Sequence, residues 1–152
     1  MRLTPNFSLE QLIHSETAER ERIDNTPAPE IVNNLRLLAQ GLEQVRTLLH
    51  FPLEISSGYR CPDLNSRVGG AKTSQHTRGQ AADFTCDEFG PPLDIIKAIR
   101  DSDIDFDQCI LEYARWVHIS FSTAPRGKVL TIYDAKEGYL DGLWDKSGNQ
   151  IA

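Results

Sequence analysis

Cysteine is scarce and unpatterned in this chain. Cys61, Cys86 and Cys109 are an odd number, widely spaced, with no Cys-x-x-Cys pair. That excludes a cysteine-rich metal or redox motif and argues against a disulfide framework, so buried reduced thiols are expected. Basic residues are outnumbered: 16 Lys and Arg stand against 22 Asp and Glu, for a formal net charge of −6. No nucleic-acid partner is expected, because neutralising phosphates needs clustered Lys and Arg. No apolar run approaches the length of a membrane span, so no membrane partner is expected either. Met1-Arg2-Leu3-Thr4-Pro5-Asn6 lacks the apolar core of a signal peptide. Synthesis and residence in a cytoplasm are the expectation, and a substrate outside it would require release by lysis, by a channel or within a virus particle. Internal repeats and low-complexity tracts are also missing.

What is there suits an ordinary globular chain. The hydrophobic fraction is 39% and the charged fraction 25% over 152 residues, enough apolar side chain for the core of one domain spanning 1–152. Three parts are expected within it: a helical part over 1–50, a core carrying the chemistry over 51–135, and a tail over 136–152. Ser8 suits a helix N-cap with Gln11 at N3 and a Phe7–Leu12 staple, and this helix is expected to end between Arg20 and Ile23. Ile31, Leu35, Leu38, Leu42, Val45 and Leu49 recur at helical steps and predict a long amphipathic helix ended by Pro52. The period then changes. Strands are predicted at Leu53–Ser56, Gln80–Cys86, Gln108–Glu112, Trp116–Ser122 and Val129–Tyr133, with loops at 57–62 and 69–72 and a short helix at Pro92–Arg100. Helices first and strands later make the fold class α+β, with N-terminal helices packed on a mainly antiparallel β-sheet.

The chemistry concentrates in four residues. His76 and Asp83 lie in Ser74-Gln75-His76-Thr77-Arg78-Gly79-Gln80-Ala81-Ala82-Asp83, and Glu112 and His118 in Glu112-Tyr113-Ala114-Arg115-Trp116-Val117-His118. Two imidazoles and a carboxylate give zinc three ligands and leave a position open, the pattern of hydrolytic rather than structural sites. If Tyr113–Arg115 form a three-residue turn, Glu112 pairs with Trp116 and Ile110 with His118. Glu112, Trp116, His118 and Ser120 then share a face, with Glu112 diagonal to His118. Strand alternation turns Asp83 toward a site and Phe84 toward the core, and Gly79 permits the turn between His76 and Asp83. Glu112 is the expected general base, and Arg60, on its Gly-containing loop, the expected cation for a substrate carboxylate or oxyanion. Taken singly, each residue has a plainer reading: a hydrogen-bonded structural histidine at 76 or 118, a capping Asp83, a Glu112–Arg115 pair, a surface ion pair at Arg60.

The flanking residues favour the site. Ser74 to Asp83 resembles the Ser-x-His-x-x-Gly-x-Ala-x-Asp signature of the zinc D-Ala-D-Ala metallopeptidases, whose fold is shared with the hedgehog signalling domain. Trp116-Val117-His118 resembles their second motif and Ser57-Gly58-Tyr59-Arg60 their preceding Ser-Gly-Tyr-Arg block, so the likeness runs from about Phe7 to Tyr133. It is nearest to the small phage and prophage members. The resemblance implies one Zn²⁺ per chain on His76, Asp83 and His118, with Glu112 as base and Arg60 as substrate anchor. It also implies substrate contacts from Ser74 and Trp116 (core packing being an equal reading for Trp116), and a peptidoglycan stem-peptide substrate, with a monomer expected. Family members commonly place the base three residues before the last ligand; that position is Arg115 here, and Glu112 lies six before His118. The expected function is cell-wall peptide hydrolysis, D-Ala-D-Ala carboxypeptidase or endopeptidase, of the phage endolysin kind. A non-catalytic, zinc-stabilised binding or virion structural module is the alternative.

Overall fold

The computed structural model describes residues 1–151. A two-stranded hairpin, β1 (Arg2–Thr4) and β2 (Phe7–Ser8), leads into α1 (Leu9–Ile13). Ser8 caps α1 as expected, its Oγ accepting from the Gln11 N–H at 3.2 Å, and Phe7 and Leu12 both enter the core. The helix does not continue to residue 20. It breaks at His14, and Ser15 caps a separate α2 (Glu16–Glu21) by accepting from the Ala18 N–H at 3.1 Å. A second capping serine seven residues after the first outweighed the helical continuity of the intervening side chains.

The long helix is α3 (Pro29–Leu49), with a proline at its first position. Leu35, Leu38, Leu42, Val45 and Leu49 are fully buried on one stripe. Each contributes about 1.5–3 kcal/mol relative to exposure, so this stripe anchors the core. The helix stops before Pro52, at His50, whose N–H still donates to the Arg46 carbonyl and whose left-handed conformation (φ 66°) then turns the chain out of the helix.

Beyond it come β3 (Glu54–Ser57), α4 (Pro62–Arg67), a 3₁₀ turn (Gln75–Arg78), β4 (Ala81–Thr85) and α5 (Pro92–Arg100). Then follow β5 (Gln108–Glu112), β6 (Trp116–Ser120), β7 (Lys128–Ile132), β8 (Leu140–Asp141), β9 (Leu143–Trp144) and β10 (Gln150–Ile151). Helix α4 occupies residues expected only to follow a loop. Cys61 caps it, Sγ accepting from the Leu64 N–H at 3.5 Å, so this cysteine is half-buried while Cys86 and Cys109 are buried; all three are free thiols. Burial pushes the Cys109 thiol above its ordinary value.

The main sheet has six strands in the order β3-β4-β6-β5-β7-β8. All its pairings are antiparallel except β5 with β7. The parallel pair follows from the route of the chain. Strand β6 returns to the end where β5 began, and the connection over 121–127 crosses that end so that β7 starts beside Gln108 and runs with β5. One face of the sheet carries Ala82, Phe84, Cys109, Leu111, Val117 and Ile119 into the core with α3 and α5. The other face presents Asp83, Ile110, Glu112 and His118. Leu143 is buried in the core and β8 extends the sheet, so residues after 135 are built into both. Among the described residues, no helix is long and apolar enough to cross a membrane.

Candidate active site

The β5–β6 hairpin has the register deduced from the sequence, with Glu112 opposite Trp116 and Ile110 opposite His118. Its connection is tight: Tyr113 and Ala114 both take positive φ, 56° and 55°, and the Arg115 N–H donates to the Glu112 carbonyl at 3.0 Å. The Tyr113 N–H donates to the Ile132 carbonyl, tying the turn to β7. On the other side of β6, Asp83 pairs directly with His118. Strand pairing thus sets these two ligand candidates side by side, although 35 residues separate them.

His76 arrives from the 3₁₀ turn. Ser74 caps that turn, its Oγ accepting from the His76 N–H at 3.2 Å, and Gly79 ends it at φ 70°, as the expected turn glycine. The His76 Nδ1 lies 2.7 Å from the Gly58 carbonyl, which can only accept, so Nδ1 carries the proton. The Nε2 lone pair is thereby directed at Asp83 Oδ1, 3.2 Å away. The His118 Nδ1 reaches the same oxygen at 3.0 Å, and the two rings meet edge to face with centroids 5.0 Å apart. All three side chains are buried, and their donor atoms lie within 4.8 Å of one another.

These residues fit a zinc ion. A lone pair and a carboxylate oxygen that face each other in a buried site lack a positive partner between them, and the set of two nitrogens and one oxygen is the one zinc takes in hydrolytic sites. Burial by itself would raise the Asp83 carboxyl; positive charge at the His76 and His118 rings, a role a bound cation would take over, reverses that and holds the group well below the usual carboxylate range.

Glu112 Oε1 is 3.7 Å from His118 Nδ1, and Glu112 Oε2 accepts from the Trp116 indole N–H at 3.1 Å. Burial, then the negative charge of Asp83, push the Glu112 carboxyl above its ordinary value, against the pull of His118, Trp116 and Arg60. A Glu112–Arg115 pair is not among the ion pairs of the described residues. The hairpin explains how an acid six residues before His118 reaches the site: crossing the turn brings it back onto the face that His118 occupies.

Arg60 sits beside the triad. Its backbone N–H donates to the His76 carbonyl at 3.0 Å and its Nη2 to Ser74 Oγ at 3.5 Å, while its Nε is buried without a hydrogen-bond partner. Burial lowers its pKa, while Asp83 and Glu112 oppose that shift. Ser74 therefore braces both Arg60 and the His76 turn, and both Ser74 and Arg60 line the cleft. Trp116 is half-buried, lines the cleft and holds Glu112, so it is not simply a core residue.

The cleft has a volume of about 690 Å³. It also gathers Tyr113, Tyr139 and Arg126, none of which the sequence singled out. Only their neighbours in space mark them, and both Tyr139 and Arg126 follow the last recognisable motif. Gly58 supports the site from behind: a Cβ there would lie 2.2 Å from the Leu12 carbonyl oxygen, which already accepts from the Tyr59 N–H. Gly58→Ala is expected to cost about 1–3 kcal/mol by overpacking. Because the Gly58 carbonyl orients His76, weaker metal binding is expected as well. Thermal unfolding together with zinc titration checks both, and unchanged zinc affinity would sever the link to His76.

A family model described as Peptidase M15 matches residues 5–120. The chain belongs to this family of zinc-dependent peptidases, and the match contains the three residues that could hold the metal together with Arg60, Ser74, Glu112 and Trp116. It stops short of Tyr133, where the motif likeness was expected to end. No curated protein matches the chain at a significant level.

Proposed function

We propose that this protein is a zinc-dependent peptidase of peptidoglycan stem peptides, D-Ala-D-Ala carboxypeptidase-like, serving cell-wall lysis by a phage or prophage. The observation that carries the reading is the placement of Glu112. Its Oε1 stands 3.7 Å from a candidate ligand and its Oε2 is held by Trp116, so it is poised beside the triad without being needed in it.

His76, Asp83 and His118 would hold the zinc ion. Bound there, it would polarise a peptide carbonyl and make the proton of water removable near neutral pH. Glu112 Oε1 takes that proton and returns it to the leaving amine. Trp116 keeps the carboxylate in one orientation, and the Arg60 guanidinium binds the substrate carboxylate at the mouth of the triad.

Digestion of purified sacculi with and without chelator, read by mass spectrometry, tests the proposal. Chelator-sensitive release of free D-Ala is expected. Chelator-sensitive new termini inside the stem would replace carboxypeptidase by endopeptidase. A zinc-loaded protein that yields no products would overturn the enzymatic reading in favour of a zinc-stabilised binding module.

A further inference from the structure

Arg126 lies in the connection from β6 to β7, beyond the matched family region, and it lines the same cleft as the triad. Its position is built rather than incidental. The Arg126 Nε and Nη2 donate to the two oxygens of Asp107, both at 2.8 Å, and its backbone N–H donates to Oδ1 at 3.1 Å. The backbone is clamped next door as well, with the Gly127 N–H on the Phe106 carbonyl and the Lys128 N–H on the Asp107 carbonyl. Asp107 is itself buried, and its Oδ2 also accepts from Gln75 Nε2 at 2.8 Å. The Arg126 fork, then the Gln75 amide, hold its carboxyl down at about 2.

A guanidinium has five N–H donors in a rigid plane, and Asp107 engages one edge of it. The opposite edge is left free on a side chain that is 54% exposed. Asp107 has spent its acceptors on Arg126 and Gln75, so it orients the arginine without occupying its outer donors. In a chain of net charge −6, this cleft nonetheless collects Arg60, Arg78 and Arg126. One terminal carboxylate on Arg60 needs one cation. A second, pre-oriented cation in the same cleft matches a second anion on the same substrate.

The geometry points to Arg126 as a specificity-determining residue that binds a side-chain carboxylate of the peptide substrate, so that the preferred substrate carries an acidic side chain besides its terminal carboxylate. This rests on the peptidase reading. Arg126 touches substrate only in binding and takes no part in proton transfer.

The test uses the full-length zinc-loaded protein and two stem-peptide analogues of identical sequence, with that side-chain carboxylate free or amidated and the C-terminus free in both. Amidation is expected to raise KM about 10- to 100-fold for the unaltered protein with little change in kcat, the loss of one charge-assisted fork. Arg126→Gln should raise KM for the acidic peptide to the same level and leave the amidated peptide unaffected, with Arg126→Lys intermediate. Equal KM values for the two peptides on the unaltered protein overturn the assignment, whatever the variants do. Equal losses on both peptides in Arg126→Gln overturn it too, since a merely structural arginine would act that way. Calorimetric binding of both analogues runs in parallel. Discrimination in binding without any turnover would sustain the Arg126 subsite and reject the peptidase reading instead.

Discussion

Glu112→Gln is expected to keep one zinc per chain while lowering kcat by about 10²–10⁴-fold, the range for loss of a general acid–base group. Glutamine is nearly isosteric with glutamate, and its amide oxygen can still accept from the Trp116 indole, which donates to Glu112 at 3.1 Å. What it loses is the capacity to take a proton. The pH profile provides a second reading of the same variant. Burial and the neighbouring Asp83 charge raise the Glu112 carboxyl above its ordinary value. The competent base is the ionised form, so kcat/KM should climb with pH as Glu112 deprotonates, and Glu112→Gln should flatten that acid limb. Metal analysis by mass spectrometry and steady-state kinetics decide the matter. Full turnover in the variant would remove Glu112 as the base, and loss of zinc would make it a ligand.

Removing a ligand is expected to be more complete. His76→Ala, Asp83→Ala and His118→Ala should each bind no stoichiometric zinc and retain only the activity of chelator-treated protein. Two imidazole nitrogens converge on the third donor, Asp83 Oδ1, at 3.2 and 3.0 Å. Deleting any one leaves two donors, which is too few to hold the ion against solvent. A stability cost of about 1–3 kcal/mol accompanies the histidine variants, because truncating either imidazole leaves the buried Asp83 carboxylate short of a polar partner. Circular dichroism separates metal loss from unfolding: a folded, zinc-free, inactive Asp83→Ala is the expected product. A variant that still binds one zinc with ordinary affinity would exclude its residue from the ligand set.

Much of the site was legible in the residue order because it depends on periodicities that are local. Alternation along β4 turns Asp83 one way and Phe84 the other, and the chain obeys it, with Phe84 fully buried in the core. The hairpin register followed from a three-residue connection, and it resolved the unusual spacing of Glu112 from His118. The helices α3 and α5 were equally plain, since apolar residues at three- and four-residue steps line one side of a helix but scatter over both faces of a strand. Local signals also misled. Two capping serines, Ser8 and Ser15, split what reads as one helix, and the Cys61 cap with Pro62 at the first turn started a helix at the end of the expected loop, over residues to which no element was assigned.

The residue order by itself picked out the three candidate ligands, the strand faces on which two of them stand, and the acid beside them, because each stands in a short run of residues with its own spacing. Only the tertiary structure decided what else enters the cleft. Arg126 meets Asp107 because the chain after β6 crosses the end of β5 and pairs in parallel with it, a choice of partner strand that no local pattern encodes. Tyr139 reaches the cleft because the sheet continues through β8, and His76 meets Asp83 because the Gly58 carbonyl fixes its ring. Those contacts join segments far apart in the chain, and packing and strand pairing, rather than periodicity, select them.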